Sequence, residues 1–168
     1  MRRLRLAEWG VLVGGCGLLV TLFLDWYALQ NATLVRPDVI ATIDAHTIGW
    51  SALGWLTTLF LVLCITAGLL LVALIASGAG DAYVLAPTVV LGTQGPLALI
   101  VLLVVVTLQP GLGEGLPNSV VTLEPAGWAG IACAVLLVVG GLFSLRDERT
   151  TGPGRHFEPP PARPAPPA

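Results

Sequence analysis

The pattern closest to a catalytic motif covers residues 78–81, which read GAGD and form a glycine-rich turn ending in a carboxylate. Aspartyl proteolysis beside an apolar segment needs two carboxylates that share one proton around a water molecule. Asp147 is the only other aspartate predicted on the same side of the chain, and Arg146 and Arg149 favour its ionised form. We therefore interpret residues 78–81 as a solvated turn, and the sequence predicts no enzyme.

Residue types that bind metals or cofactors are sparse. Three cysteines lie inside apolar runs: Cys16, Cys64 and Cys133. They predict side-chain packing and no disulfide framework or redox site. Asp38, Asp44 and His46 share a polar stretch, but no nucleophile, oxyanion donor or metal-binding triad accompanies them. We expect no cofactor and no metal.

Gln94 is the most polar residue deep inside an apolar run. With Thr93 and Pro96 it lies in a predicted helix over residues 84–109, about 15 Å from the helix start. Because Pro96 removes a backbone hydrogen bond, we expect a kink or local unwinding there. A broken helix with a central amide suits an uncharged substrate, so one hypothesis is a small transporter or channel. The alternative is a hydrogen bond from Gln94 to a neighbouring helix, or a side chain that fills the backbone gap at the proline.

The composition is typical of a membrane protein. Of 168 residues, 55% are hydrophobic and only 11% are charged, well below the charged fraction of globular proteins. Apolar runs predict transmembrane helices at about residues 9–27, 48–76, 84–109 and 126–145. We expect an all-α, four-helix transmembrane bundle over residues 1–150 and a disordered Pro-rich tail over residues 151–168. The absence of a basic stripe argues against nucleic-acid binding.

Arginine placement predicts the orientation, because cytoplasmic segments carry an excess of basic residues. All eight basic residues are arginines, three near the N-terminus and four after the last apolar run. We therefore expect both termini in the cytoplasm (N-in/C-in). The arginine-only, Ala- and Gly-rich composition is typical of a high-GC bacterium, so we expect a multi-pass protein of the bacterial plasma (inner) membrane. The expected anchors at the headgroup level are Trp9, Trp26, Trp50, Trp55 and Trp128.

Small residues recur at four-residue spacing in the first and last predicted helices: Gly10, Gly14, Ala126, Gly130 and Ala134. This spacing lets helix backbones approach closely, within one chain or between chains. No charge lies near the centre of any predicted helix, which argues against charge-coupled transport. The leading hypothesis is a structural or accessory subunit in the lipid bilayer, bound to a second copy or to another membrane protein.

Two segments resemble a group of small four-helix actinobacterial membrane proteins. Residues 23–27 read FLDWY, similar to the FLPWY that ends that group's first helix. Residues 126–148 read AGWAGIACAVLLVVGGLFSLRDE, similar to the group's last helix, which ends GGWLSMRDE before a Pro-rich tail. Asp25 stands in place of the usual proline, and Phe143 in place of a tryptophan. The resemblance implies this topology and lineage, and it implies no activity.

Overall fold

The computed structural model describes residues 4–30, 46–79, 81–108 and 119–149, and the predicted tail over residues 151–168 lies outside them. The described chain is mostly helical. Its helices are α1 (Leu6–Thr21), α2 (Gly49–Ala52), α3 (Gly54–Ser77), α4 (Asp81–Leu108) and α5 (Pro125–Arg149). Its strands are β1 (Asp25–Leu29), β2 (His46–Ile48) and β3 (Val121–Leu123), which form an antiparallel sheet in the order β2-β1-β3.

Three helices of the described chain are long and apolar enough to cross a membrane, judged by length and composition: Gly54–Ser77, Tyr83–Leu108 and Pro125–Leu145. α1 is also apolar, but its 16 residues extend only about 24 Å at helical rise. That length is shorter than the hydrocarbon core of a typical bilayer. The structure therefore supports the predicted membrane protein through α3, α4 and α5.

The first helix ends earlier than predicted, at Thr21 instead of near residue 27. The residues that follow pair in the sheet, and the Gly49 N–H donates to the Leu24 carbonyl at 3.0 Å. The indole Nε1 of Trp26 donates to the Thr21 carbonyl at 2.6 Å and so satisfies the end of α1. The expectation of an all-α fold omitted this sheet, because pairing between distant segments outweighs the local apolar pattern.

Glycine and proline determine several helix ends. Gly54 and Gly78 both have φ of +74°, a left-handed conformation that glycine adopts without strain. Gly78 ends α3, while Gly54 separates α2 from α3 and so divides the second predicted helix. Pro125 begins α5, where its missing N–H costs no hydrogen bond. At the start of α1, the Glu8 carboxylate accepts a hydrogen bond from the Arg5 N–H at 2.7 Å.

The most extensive helix contact joins α1 to α5, which run antiparallel, with Gly14 against Leu137 and Ala7 against Gly140. α4 contacts α3 and α5, and α3 also contacts α1. Leucines from all four long helices are fully buried between them: Leu18, Leu61, Leu71, Leu91, Leu102 and Leu137. The sheet covers the end where α1 ends and α5 begins, which we call the sheet end.

Candidate functional site

The contact between α1 and α5, here called the α1–α5 seam, uses the small residues that the sequence singled out in α1. A Cβ atom on Gly14 would lie 2.5 Å from Leu137 N and 2.8 Å from Cys133 O, so the two backbones meet there. Gly10 is less crowded, since its Cβ would lie 3.7 Å from Leu136 Cδ1. The close approach that this spacing allows is therefore made within one chain.

The small residues of α5 also face the interior of the protein. A Cβ on Gly130 would overlap the Trp26 ring and lie 3.1 Å from Thr21 Oγ1. Ala134 is buried and Ala126 is half-buried. An interaction with a second protein therefore needs a surface other than this one.

Sequence reasoning missed one partner in the seam, Gly140. A Cβ on this residue would lie 2.9 Å from both Ala7 O and Val11 N. A signal was present, because residues 14–15 and residues 140–141 are both Gly-Gly pairs. The two glycines of each pair lie on adjacent faces of their helix and meet different neighbouring helices, so both faces allow close packing.

The prediction that Trp26 anchors the protein at the headgroups is wrong, because its side chain is fully buried. Trp26 lies between Gly130 and Gly49, and a Cβ on Gly49 would come within 2.5 Å of the indole Nε1. The ring packs closely against these two glycines, and its Nε1 donates to the Thr21 carbonyl, so the indole does not contact lipid.

The other four predicted anchors are exposed: Trp9, Trp50, Trp55 and Trp128. Trp50 also stacks on exposed Phe23, with ring centroids 5.7 Å apart and planes inclined by 14°. Trp50, Trp55 and Trp128 lie at the sheet end, and Trp9 lies in the first turn of α1 at the opposite end. Exposed aromatic rings at both ends suit the two interfaces of a bilayer.

The polar residues near the middle of α4 lie in an unbroken helix. A kink or local unwinding was expected at Pro96; the unwinding is wrong, because α4 is continuous through this residue. Pro96 removes only the bond to the Gly92 carbonyl, and the neighbouring helices hold the rest of the helix in place. Thr93 Oγ1 donates to the Val89 carbonyl at 2.9 Å, so this hydroxyl is satisfied locally.

Gln94 differs from Thr93. Its side chain is half-buried, and among the described residues its amide makes no hydrogen bond. A primary amide has two N–H donors and a carbonyl acceptor. If α4 spans a bilayer, as its length and composition allow, lipid tails cannot satisfy these groups. Gln94 therefore presents unsatisfied hydrogen-bonding groups at the surface of the chain.

The surface of α4 is the least covered of the three candidate membrane spans. Only 22% of its apolar window is buried, compared with 44% in α3 and 39% in α5. Its exposed large apolar side chains are Tyr83, Leu85, Val89, Leu97, Ile100, Leu103, Val104 and Leu108. No residue from Tyr83 to Leu108 carries a charge. The amide of Gln94 thus stands at the edge of a broad apolar surface.

A groove of about 500 Å³ opens where α2 meets α3, at the sheet end. It is lined by Trp50, Ser51, Trp55, Thr58, Leu59 and Val62. Its hydroxyls bond to backbone carbonyls, Ser51 Oγ to Ile48 O at 3.1 Å and Thr58 Oγ1 to Gly54 O at 2.9 Å. The lining offers no titratable group, so this groove suits an apolar chain and no acid–base chemistry.

The polar groups of the sheet end do not form a reactive site. Asp25 Oδ2 and His46 Nδ1 are 4.0 Å apart, with both side chains more than half exposed, so their attraction is weak. Tyr27 is fully buried, and its hydroxyl has no hydrogen-bond partner among the described residues. Burial raises the pKa of this phenol to about 12. Among the described residues, no three His, Cys, Asp or Glu side chains are grouped as metal ligands.

Several acidic residues that the sequence singled out lie outside the described residues. Asp38 and Asp44 lie in residues 31–45, which are outside the described residues. Asp81 begins α4, and Asp147 lies near the end of α5, but their side chains are also outside the described part of the structure.

The fold and the site together define a class: a mostly helical protein with three helices able to span a membrane and an uncharged, amide-bearing surface on α4. Comparison of the chain with protein-family models, with curated proteins and with solved structures finds no match.

Proposed function

We propose that this is a structural or accessory subunit of a bacterial plasma membrane, which contacts another membrane protein chain through α4. In this proposal α1 is a fourth span, the four helices form a transmembrane bundle, and both termini are cytoplasmic. The resemblance to small actinobacterial membrane proteins agrees with this location. The proposal includes no catalytic activity.

The antiparallel α1–α5 seam supports an even number of spans. Ala7 lies beside Gly140, so the start of α1 and the final turns of α5 are at the same end of the helices. In the sequence, the segments before α1 and after Leu145 hold seven of the eight arginines, three and four respectively. Cytoplasmic segments are enriched in such residues, so the shared end is assigned to the cytoplasm.

The observation that carries the interaction role is the unsatisfied Gln94 amide on the least covered helix. Exposed leucine and valine need no protein partner in a membrane, because lipid tails are equally apolar. An amide differs, since lipid tails supply neither donor nor acceptor. A second membrane protein that hydrogen-bonds to Gln94 removes this cost, which is worth about 0.6 to 2 kcal/mol per bond.

The transporter or channel hypothesis depended on a broken helix around Gln94. Because α4 is continuous, and because the groove at the sheet end does not include Gln94, no observation favours this second function.

A photo-crosslinking residue placed at Leu97 tests the interaction role in native membranes and leaves the Gln94 amide in place. Leu97 lies three residues from Gln94 on the same side of α4 and is 45% exposed. The matched control is Leu63 on α3, which is also 45% exposed. We expect a protein adduct of defined mass from position 97 and only lipid adducts from position 63. Equal yields at both positions, or no protein adduct at position 97, would contradict the proposal.

Topology has a separate test in a background whose native cysteines are replaced by alanine. Asn31→Cys should react with an impermeant thiol reagent in intact cells, and Thr151→Cys should react only after the membrane is opened. The reverse pattern would invert the proposed orientation.

A further inference from the structure

We propose that the chain that contacts Gln94 is a second copy of this protein, in a parallel dimer whose two-fold axis is normal to the membrane. This inference rests on the proposed function, since it names the partner of the same surface.

Membrane insertion fixes the relative orientation of two copies. Copies inserted with the same topology are parallel, so each residue of one chain lies at the same depth as that residue in the other. A two-fold interface is isologous, and a residue close to its axis contacts its own counterpart. Gln94 near such an axis therefore faces the Gln94 of the second copy.

Glutamine is one of few side chains that can satisfy its own copy. Each amide has both a donor and an acceptor, so two facing amides can exchange two hydrogen bonds. A carboxylate or guanidinium group would instead meet a like charge. Thr93, one residue away, cannot take this role because its hydroxyl already donates to the Val89 carbonyl.

The residues on the same side of α4 as Gln94 suit a symmetric apolar contact. Residues three and four apart share a helix face. This rule groups Val90, Gln94, Leu97 and Val101, here called the Gln94 stripe. Each member is exposed or half-buried, whereas Leu91, Ala98 and Leu102 face the interior. The alternating four- and three-residue spacing is typical of parallel membrane helices that cross at about 20°.

The Gln94 stripe also lacks the charged groups and the small residues by which a different membrane protein would recognise it. It carries no charge, and the small residues of α1 and α5 that allow close approach are used within the chain. An uncharged stripe with one self-complementary amide matches itself better than a partner that depends on charge.

A cysteine scan of α4 in native membranes tests this geometry. In a background with Cys16, Cys64 and Cys133 replaced by alanine, single cysteines at Val90, Leu97 and Val101 are oxidised with a mild catalyst. We expect disulfide-linked homodimers at all three positions. Leu99→Cys and Leu103→Cys are matched controls, because both lie on the opposite flank of the buried face and are also partly exposed. They should give at least fivefold less product.

The amide is tested in the Leu97→Cys background. Gln94→Leu should raise the dimer dissociation constant about tenfold, because two membrane-buried hydrogen bonds are lost. Thr93→Val, the adjacent control, should leave it unchanged. An unchanged dissociation constant for Gln94→Leu would overturn the role of the amide and with it the proposal.

The outcomes separate this inference from the proposed function. Equal crosslinking on both flanks of α4 indicates random collision and overturns the dimer. No homodimer, together with a photo-adduct between position 97 and a different protein, overturns the dimer while the accessory role stands. Neither a homodimer nor any protein adduct at position 97 overturns both.

Discussion

In the α1–α5 seam two helices meet backbone to backbone, whereas α4 keeps most of its side chains outside the protein. Gly14 and Gly140 leave no room for a methyl group against the facing helix. α4 buries only 22% of its apolar window and is equally apolar in composition. The same residue types therefore build a tightly packed contact in one region and an open surface in the other.

This difference shows how to distinguish an apolar surface that only faces lipid from one that indicates a contact with another chain. Because lipid tails are as apolar as leucine, exposure of α4 to a bilayer carries little cost and does not require a protein partner. A seam with glycine contacts requires its partner helix, since only close packing compensates for the glycines. Among the described side chains of α4, the exposed hydroxyls of Thr93 and Thr107 donate to carbonyls of their own helix, whereas the Gln94 amide makes no such bond. Gln94 therefore distinguishes this surface from an ordinary lipid-facing side.

The largest expected effect lies at the sheet end of the seam. Trp26→Ala should lower the free energy of unfolding by about 3 kcal/mol or more, because a fully buried ring and its bond to the Thr21 carbonyl are lost. Trp128→Ala is the control, with a side chain 64% exposed, and should change stability by less than about 0.5 kcal/mol. Thermal unfolding in detergent micelles measures both. Equal losses would exclude the sheet end from the packed scaffold.

The glycine contact itself has a sharper test within one helix. Gly14→Ala should destabilise by about 2 kcal/mol, because the new methyl group would overlap backbone atoms of Leu137 and Cys133. Gly10→Ala, one turn earlier, meets only ordinary contacts and should be neutral or slightly stabilising through its helix propensity. The same unfolding assay compares them. If Gly10→Ala were the more damaging change, the seam would be misplaced by one turn.

The sequence correctly predicted the features that depend only on the length and composition of a segment. The apolar runs of α3, α4 and α5 indicated helices able to span a membrane, and the predicted start at residue 126 is one residue after the observed start of α5 at Pro125. These signals are local, so neighbouring sequence is sufficient to interpret them.

The sheet end was not predicted, because its evidence is distributed along the chain. The three strands have 5, 3 and 3 residues, too short for a periodic pattern. Trp26 looks like an interfacial anchor until Gly49 and Gly130, far apart in sequence, are brought against its ring. Pro96 likewise predicts a break only if the helices that support α4 are ignored. The role of Gln94 could be suspected from its depth, but its lack of a partner required the structure.

A matched pair of leucines extends the comparison to side chains. Leu137→Ala in the seam should cost about 2 kcal/mol, since a cavity forms beside Gly15 and Gly68, where the Leu137 side chain packs. Leu97→Ala on α4 should cost less than about 0.5 kcal/mol, because the exposed side chain leaves no internal cavity and detergent tails fill the space. Unfolding in detergent measures this difference. A large loss for Leu97→Ala in monomeric protein would show that α4 is packed rather than open.

The smallest expected effect has the opposite sign and concerns Tyr27, whose buried hydroxyl has no hydrogen-bond partner in the part of the chain that the structure describes. Tyr27→Phe removes this unsatisfied group and should stabilise the protein by about 1 kcal/mol at neutral pH. Alkaline pH adds a second difference, because the pKa of Tyr27 is raised from its ordinary value of 10.0 to about 12.

The sign of the pH effect follows from linkage. Above pH 10 the unfolded phenol loses its proton while the folded one keeps it, so this residue's contribution to stability is complete below pH 10 and declines between pH 10 and 12. Over that interval the parent protein should lose stability more steeply than Tyr27→Phe, measured by unfolding in micelles at each pH. A destabilised Tyr27→Phe would instead mean that the hydroxyl binds a group essential to the sheet end.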